Sequence, residues 1–264
     1  MPTRTSRSAA PLTAYVLHRY DWSESSVILD LLTREQGRLS VAAKGAKRPY
    51  SQLRSVLLPF QKIHVTLGRV PKSAVSDVQA SEVQTLRSAE WAGGAAMLTG
   101  AALFSGFYLN ELLMKLTARH DAHPALFDAY ALTLPHLCAP EDMQVQAALR
   151  AFELTLLKEL GVLPDLSLVT LTLQAVRAEA RYSLLPEAGV GEARADVDLS
   201  GATLIGLQAA FDHGSLPALQ QACLPTLAEL KGLLRGLLHY HLGSSVLRTR
   251  QVMQGVQSFE RLSP

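Results

Sequence analysis

Cysteine is nearly absent from this chain, which carries only Cys138 and Cys223 among its 264 residues. Two cysteines cannot supply the four ligands of a structural zinc site of the all-cysteine kind, so we expect no metal cofactor of that type. The first fourteen residues lack the apolar core of a signal peptide, so secretion is not expected. Lone cysteines in such a chain favour free thiols in a reducing cytoplasm over a disulfide.

The short motifs of several common enzyme classes are also missing. There is no phosphate-binding GxxxxGK[ST] loop, dinucleotide fingerprint GxGxxG, nucleophile elbow GxSxG or HExxH zinc motif. The uncharged stretch 91–110 has 13 apolar residues of 20, many of them alanine, which predicts a buried helix and not a membrane span. These absences favour a protein that is neither an enzyme nor embedded in a membrane.

Charge is distributed unevenly along the chain. Residues 1–90 contain 13 Lys and Arg against 7 Asp and Glu, whereas residues 91–264 contain 12 against 16. The basic excess of the first third predicts a polyanionic partner for that part of the chain.

This positive charge is concentrated in a basic run at residues 44–54, which contains no acidic residue. The run and the end of the strand before it read VAAKGAKRPYSQLR (41–54). Lys and Arg neutralise phosphates and release counterions, which gives affinity for nucleic acid without sequence preference. Tyr50 lies within the run as a stacking surface for a base, whereas Trp22 is more typical of a packing residue. The predicted DNA-binding residues are Arg38, Lys44, Lys47, Arg48 and Arg54.

Alternating apolar and polar residues predict five short strands before residue 85. They are expected near 13–18, 27–32, 38–44, 62–67 and 74–83, with Gly37 turning the chain between the second and third. Five strands in so short a segment predict a small barrel of the oligonucleotide-binding (OB) kind, although periodicity does not separate it from an SH3-like barrel.

Helical periodicity dominates after Glu82. Helices are predicted around 98–116, 124–137, 142–160, 201–212, 215–222, 225–242 and 246–256, with a strand-like alternation at 176–184. The expected fold is therefore α+β: a flexible tail over 1–11, an OB-fold over 12–84, and a mainly helical domain over 85–264 with a strand insertion near 168–186.

Three segments carry a family resemblance. The phrase YVLHRYDWSESSVILDLLTREQGRLSVAAKGAKR (15–48) resembles the start of RecO, a bacterial family of recombination mediators. LFSGFYLNELLMKL (103–116) and LRAFELTLLKELGVLPDL (149–166) resemble two later helices of the same family, in the same order.

The resemblance implies a non-enzymatic protein of the bacterial cytoplasm, associated with the nucleoid, that binds single- and double-stranded DNA and anneals complementary strands. It further implies that the protein helps RecA replace single-strand binding protein, together with RecR. Many family members carry a four-cysteine zinc module, but residues 162–222 contain no cysteine. The chain therefore resembles the zinc-free branch found in some Proteobacteria.

A second binding site follows from the same resemblance. The tail of single-strand binding protein is acidic and ends in an apolar residue with a free carboxylate, so its receptor needs an apolar pocket beside a cation. The candidate partner-binding residues are Tyr108, Leu112, Lys115, Arg119 and Arg150. The competing interpretation places Tyr108 and Leu112 in the core.

Two other functions stay open. One is an OB-fold module that acts on RNA, and the other is a metal-dependent nuclease that uses scattered carboxylates. Preference for a defined RNA would favour the first, and Mg²⁺-stimulated cleavage would favour the second.

Overall fold

A computed structural model describes residues 10–68, 83–93, 97–193, 198–243, 247–249 and 251–252. The chain divides into two compact units. The barrel unit contains the chain up to Met97 together with Thr117–Phe127, and the helical unit contains Leu98–Leu116 and the chain from Asp128 onward.

The barrel unit is built from five strands that close into a barrel in the order β1-β2-β3-β5-β4. The strands are β1 (Leu12–Asp21), β2 (Val27–Thr33), β3 (Gly37–Ala43), β4 (Lys62–Leu67) and β5 (Val83–Trp91), and the short helix α1 (Leu53–Val56) lies between β3 and β4. All neighbouring pairs are antiparallel except β3 and β5, which are parallel. This closed five-stranded arrangement is that of the predicted OB-fold.

The inward-facing apolar side chains of the alternating strands fill the barrel interior. Val27, Leu29 and Leu31 of β2 are fully buried there with the inward residues of the other strands. Gly37 begins β3 at φ +68°, and a Cβ atom added to it would lie 1.9 Å from the backbone oxygen of Asp121. The predicted turn glycine is therefore confirmed, and it also leaves room for another segment of the same unit.

The position of the fifth strand differs from the prediction. Residues 74–82 lie outside the described residues, and the fifth strand of the barrel is Val83–Trp91. The predicted end of the OB domain at residue 84 therefore falls inside a strand, and the helical pattern expected directly after Glu82 is wrong for residues 83–91. Exposed and half-buried side chains alternate weakly on this strand, so its periodicity gave little signal.

Helices make up most of the second unit. The helices are α2 (Gly100–Leu116), α3 (Pro124–His136, which begins in the barrel unit), α4 (Asp142–Glu159), α5 (Gly201–Asp212), α6 (Leu216–Cys223) and α7 (Leu227–Leu242), with a 3₁₀ turn at Leu224–Thr226. Ten residues of α4 are buried, from Ala147 to Leu157, so this part of the helix is packed on nearly every side. Gly161 follows α4 at φ +70° and confirms the predicted end of that helix.

A small antiparallel sheet forms the strand insertion. Its strands are β6 (Arg181–Leu185), β7 (Gly189–Glu192) and β8 (Leu199–Ser200), in the order β7-β6-β8. The strand predicted at 176–184 begins later than expected, because the amide of Ala180 donates to the oxygen of Arg177 and closes a turn there. The strand therefore starts only where β7 and β8 provide partners.

The predicted final helix, 246–256, falls largely outside the described residues. Within the described part, the amide of Gln251 donates to the oxygen of Leu247 at 3.2 Å, as in a helical turn. None of the helices in the described ranges is long and apolar enough to span a bilayer.

Candidate nucleic-acid interface

Two loops meet at one end of the barrel. The pairs Asp21–Val27 and Val27–Ala43 place the β1–β2 turn beside the chain that leaves β3. The amide of Lys47 donates to the oxygen of Ser25 at 2.9 Å. We call the exposed side chains of residues 22–26 and 44–54 the loop-end surface.

Successive turns fix the backbone of the basic run. Gly45 adopts φ +72°, and its oxygen accepts the amide of Arg48 at 3.1 Å. The oxygen of Arg48 accepts the amide of Ser51 at 3.0 Å, and the oxygen of Ser51 accepts the amide of Arg54 at 3.2 Å. The run therefore presents its side chains from a defined backbone and not from an extended linker.

Lys44, Arg48 and Arg54 are exposed. In the described part of the chain no acidic side chain forms an ion pair with any of them. An exposed cation without a protein counter-charge is available to a phosphate at little desolvation cost. The structure therefore brings three of the five predicted DNA-binding residues together on the loop-end surface.

Lys47 differs from these three because it is only partly exposed. Its ammonium lies 3.2 Å from a carboxylate oxygen of Asp21. This ion pair ties the basic run to the end of β1, so a phosphate would have to compete with a carboxylate for Lys47.

Arg38 lies on the outer face of β3 in a polar network. Its guanidinium donates to the oxygen of Thr117 at 3.0 Å, and its own backbone oxygen accepts the amide of His120 at 3.0 Å. Burial lowers the pKa of Arg38, although nearby Asp30 opposes this change. The guanidinium stays protonated at neutral pH because its ordinary pKa is so high. Arg38 thus holds the 117–121 segment on the barrel, and a contact with DNA remains a prediction.

Asp30 is the centre of this network and is 1% exposed. Its carboxylate accepts a hydrogen bond from Ser40 Oγ at 2.6 Å and from the Tyr20 hydroxyl at 3.2 Å. The guanidinium of Arg119 lies 3.7 Å away. Because the 117–121 segment covers this outer face of β2 and β3, the loops are better placed than the strand face for contact with a polymer.

Two further residues join the candidate interface, and sequence reasoning missed both. Arg87 is exposed and occupies a β-bulge, since Leu67 pairs with Leu86 while Thr66 pairs with Ser88. It stands two residues beyond the Ala42–Thr85 pair, as Lys44 does on β3. Because the fifth strand was predicted near 74–83, the sequence alone did not place Arg87 beside Lys44.

Trp22 is the other missed residue. It was expected to pack, but its side chain is 54% exposed within the β1–β2 turn. Its position in a turn between two polar residues, Asp21 and Ser23, was the available signal for exposure.

The residues predicted to bind a protein tail lie in different surroundings. Leu112 is fully buried and Arg150 is 6% exposed. Lys115 is exposed and pairs with Glu111 at 3.2 Å, whereas Arg119 belongs to the barrel unit. The five residues are therefore not gathered into one open pocket of the helical unit, and their role in partner binding remains a prediction.

Tyr108 and Arg150 meet at a buried carboxylate. The Tyr108 hydroxyl and the Arg150 guanidinium both donate to Glu153 Oε1, at 2.6 Å and 2.7 Å. Among the residues that the structure describes, Glu153 Oε2 has no hydrogen-bond partner. Burial raises the pKa of Glu153, and Arg150 and Tyr108 offset part of that increase. Burial also raises the pKa of the Cys223 thiol to about 12. This thiol is therefore not a nucleophile at neutral pH.

A metal centre is not evident in the described ranges. No group of three or more His, Cys, Asp or Glu side chains there is arranged to hold an ion. Cys138 and Cys223 are both free thiols.

Comparisons with known proteins agree with this two-part architecture. The protein-family model described as "Recombination protein O N terminal" matches residues 10–89. The family model described as "Recombination protein O C terminal" matches residues 97–251. A relative named DNA repair protein RecO from Polaromonas sp. strain JS666 is 50% identical over 248 residues, which cover 93% of this chain and 96% of the relative.

Proteins with the same name occur in related organisms. The relative from Variovorax paradoxus strain S110 is 49% identical over 256 residues, covering 93% of this chain and 95% of its own. The relative from Acidovorax ebreus strain TPSY is 47% identical over 264 residues, covering 95% and 98%. Both halves of the chain, matched in order and nearly over their full length, show that it belongs to the RecO family.

Proposed function

We propose that this chain is a DNA repair protein that binds DNA through the loop-end surface and mediates recombination without enzymatic activity. The observation that carries the proposal is the set of exposed cations Lys44, Arg48 and Arg54, which have no ion-pair partner among the described residues, on a hydrogen-bonded loop at one end of an OB barrel. Membership in the RecO family, whose relatives are named DNA repair proteins, supports the same function.

The proposed mechanism is annealing of complementary strands. Cations at the barrel end would lower the mutual repulsion of two phosphate backbones and hold the strands close, so pairing needs no nucleotide hydrolysis. The chain would act in the bacterial cytoplasm, in association with the nucleoid. There it would work with RecR to replace single-strand binding protein with RecA. The resemblance of three segments to the mediator family supports this step.

We also propose that the fold requires no zinc. Residues 162–222 lack cysteine, and the backbone from Leu168 to Glu192 is held by a β-bridge and the β6–β7 hairpin. Prolonged dialysis against a chelator should leave both the far-ultraviolet circular dichroism and DNA binding unchanged. A loss of helix signal that added zinc restores would contradict this.

The salt dependence of binding tests the interface. The double variant Lys44→Gln/Arg48→Gln should weaken single- and double-stranded DNA alike. It should also flatten the slope of log K against log salt by about 0.7 per lost contact on single strands and about 0.9 on duplexes. The matched control Arg177→Gln/Arg235→Gln removes two exposed cations of the helical unit and should leave the slope unchanged. Equal slopes for the wild type and the Lys44/Arg48 variant would exclude the loop-end surface as the interface.

The mediator function has its own assay. Complementary oligonucleotides coated with cognate single-strand binding protein should anneal faster when the chain is added, and deletion of that protein's C-terminal tail should abolish the gain. Binding of naked strands without annealing would leave only a generic OB-fold module. Tighter binding to a defined RNA than to the same DNA sequence would favour the RNA alternative.

A further inference from the structure

We propose that Tyr50 and Trp22 stack on unpaired bases, so that the loop-end surface prefers single-stranded nucleic acid to duplex. This inference rests on the proposed function and adds what phosphate contacts cannot provide. Cations neutralise the backbones of single strands and duplexes alike, whereas an aromatic ring can stack only on a base whose face is free.

Tyr50 exposes nearly its whole side chain to solvent, at 99% of the maximum. Its backbone is nevertheless fixed, because the turn from Gly45 to Arg48 precedes it and the bond from Ser51 to Arg48 spans it. Pro49 restricts the backbone just before it. The ring therefore has no packing contact with the described residues to lose when a ligand covers it, and only its side-chain torsions, not its backbone, must then become ordered.

Trp22 is held in the same way on the neighbouring loop. Its amide donates to the oxygen of Ser26 at 3.3 Å, and its side chain is 54% exposed. The Oγ of the same Ser26 accepts the amide of Gly45 at 3.3 Å, so one residue links the turn of Trp22 to the basic run of Tyr50. Two aromatic side chains thus project from loops that are hydrogen-bonded to each other.

Exposed cations flank Tyr50 along the basic run, and Trp22 follows the residue that pairs with Lys47. Arg48 and Arg54 lie two residues before and four residues after Tyr50, and both are exposed. Lys47 pairs with Asp21, the residue next to Trp22. A strand could place its phosphates on the cations and turn its bases toward the rings. Stacking on an aromatic side chain changes affinity by about 5- to 150-fold per base and depends little on base identity.

Trp91 provides a matched control within the barrel unit. It is 65% exposed and belongs to β5, outside the loop-end surface, and its indole Nε1 donates to Gln61 Oε1 at 3.2 Å. Replacing Trp91 therefore removes an exposed indole ring, as replacing Trp22 does, but from a part of the barrel that lies outside the loop-end surface.

Binding of a labelled oligo-dT and of a duplex of equal length should be compared by fluorescence anisotropy. Tyr50→Ala and Trp22→Ala should each weaken single-strand binding by about fivefold or more and leave duplex binding unchanged. Tyr50→Phe, which keeps the ring, and Trp91→Ala should behave like the wild type. Equal losses for both forms of DNA, or no loss for either, would overturn the stacking assignment.

Intrinsic fluorescence gives a second readout that does not depend on affinity. The chain has two tryptophans, so Trp91→Phe leaves Trp22 as the single indole. Saturating oligo-dT should quench that signal and duplex should not; oligo-U should quench it too, because stacking does not read the sugar. Absence of quenching by saturating oligo-dT would exclude Trp22 from the contact. If Lys44→Gln/Arg48→Gln weakens binding while both aromatic variants are silent, the DNA interface stands and stacking fails. If that cation variant is silent, the interface itself is wrong.

Discussion

Replacement of Arg150 by methionine tests whether this side chain belongs to the interior of the helical unit. Arg150 and Glu153 are 6% and 1% exposed, and they are joined at 2.7 Å within α4. Arg150→Met introduces an apolar side chain of similar length and removes the cation that is hydrogen-bonded to the carboxylate, so only the weaker electrostatic influence of Lys231 remains. Removing one partner of a buried ion pair costs about 3–5 kcal/mol, because the remaining charge is neither solvated nor paired.

The cost should depend on pH in a defined direction. Burial already raises the pKa of Glu153, and loss of Arg150 removes an interaction that lowers it. The fold therefore shifts Glu153 toward its neutral form, and the loss of Arg150 shifts it further. The stability this provides is complete below the unfolded value near 4.5 and declines as pH rises through the higher folded pKa. Arg150→Met should thus be far more destabilising at pH 8 than at pH 5.

A second substitution supplies the matched control. Glu153→Gln keeps an oxygen for the two donors and removes the charge, so Arg150→Met/Glu153→Gln should recover about 2 kcal/mol or more relative to the sum of the single effects. Urea unfolding followed by circular dichroism at 222 nm measures the helical unit, since both tryptophans lie in the barrel unit. A coupling below about 0.5 kcal/mol, or a cost that does not change between pH 5 and pH 8, would refute the reasoning.

Two further predictions concern other parts of the chain. Gly37→Ala should destabilise the barrel unit by about 2–5 kcal/mol, because it combines a positive φ with a clash against the Asp121 backbone. Gly93→Ala has a positive φ, but none of the described atoms lies within 4 Å of the added Cβ, so it should cost only about 1–2 kcal/mol. Urea unfolding followed by tryptophan fluorescence measures both costs, because both tryptophans lie in the barrel unit, and equal costs would contradict the steric argument. Glu111→Gln should weaken the attachment of the chain at Thr249, whose amide and hydroxyl both donate to this carboxylate, and amide exchange there should rise. Burial opposes ionisation of Glu111, but these hydrogen bonds outweigh it and lower its pKa. In the wild type, the protection of this amide relative to its intrinsic exchange rate should therefore fall only as pH falls through that lowered value. Unchanged protection in Glu111→Gln would exclude this anchor.

Most elements of the fold were predictable because they depend on local chemistry. Period-two alternation identified four of the five barrel strands, and helical periodicity with Gly161 identified α4 and its end. Both patterns reflect which face of an element is buried, and that information is written in neighbouring residues. The fifth strand escaped because only Leu86 of its nine residues is buried, so alternation is weak there.

The basic run was also visible in the sequence, since charge needs no neighbour in space to be recognised. Lys44, Arg48 and Arg54 were predicted from composition alone, and the structure places them on an exposed, turn-stabilised loop. Arg87 was not predicted, because its relation to Lys44 depends on the parallel pairing of β3 with β5.

Only the tertiary structure decided which polar residues are free and which are committed. Arg38 and Lys44 look equivalent in sequence, yet Arg38 is bound to Thr117, a residue far along the chain, while Lys44 faces solvent. Arg150 likewise has a counter-charge that only packing reveals as buried. Sequence determines which groups are charged and which face of an element is apolar; long-range contacts determine which charges remain available to a ligand, because burial and pairing are properties of the assembled chain.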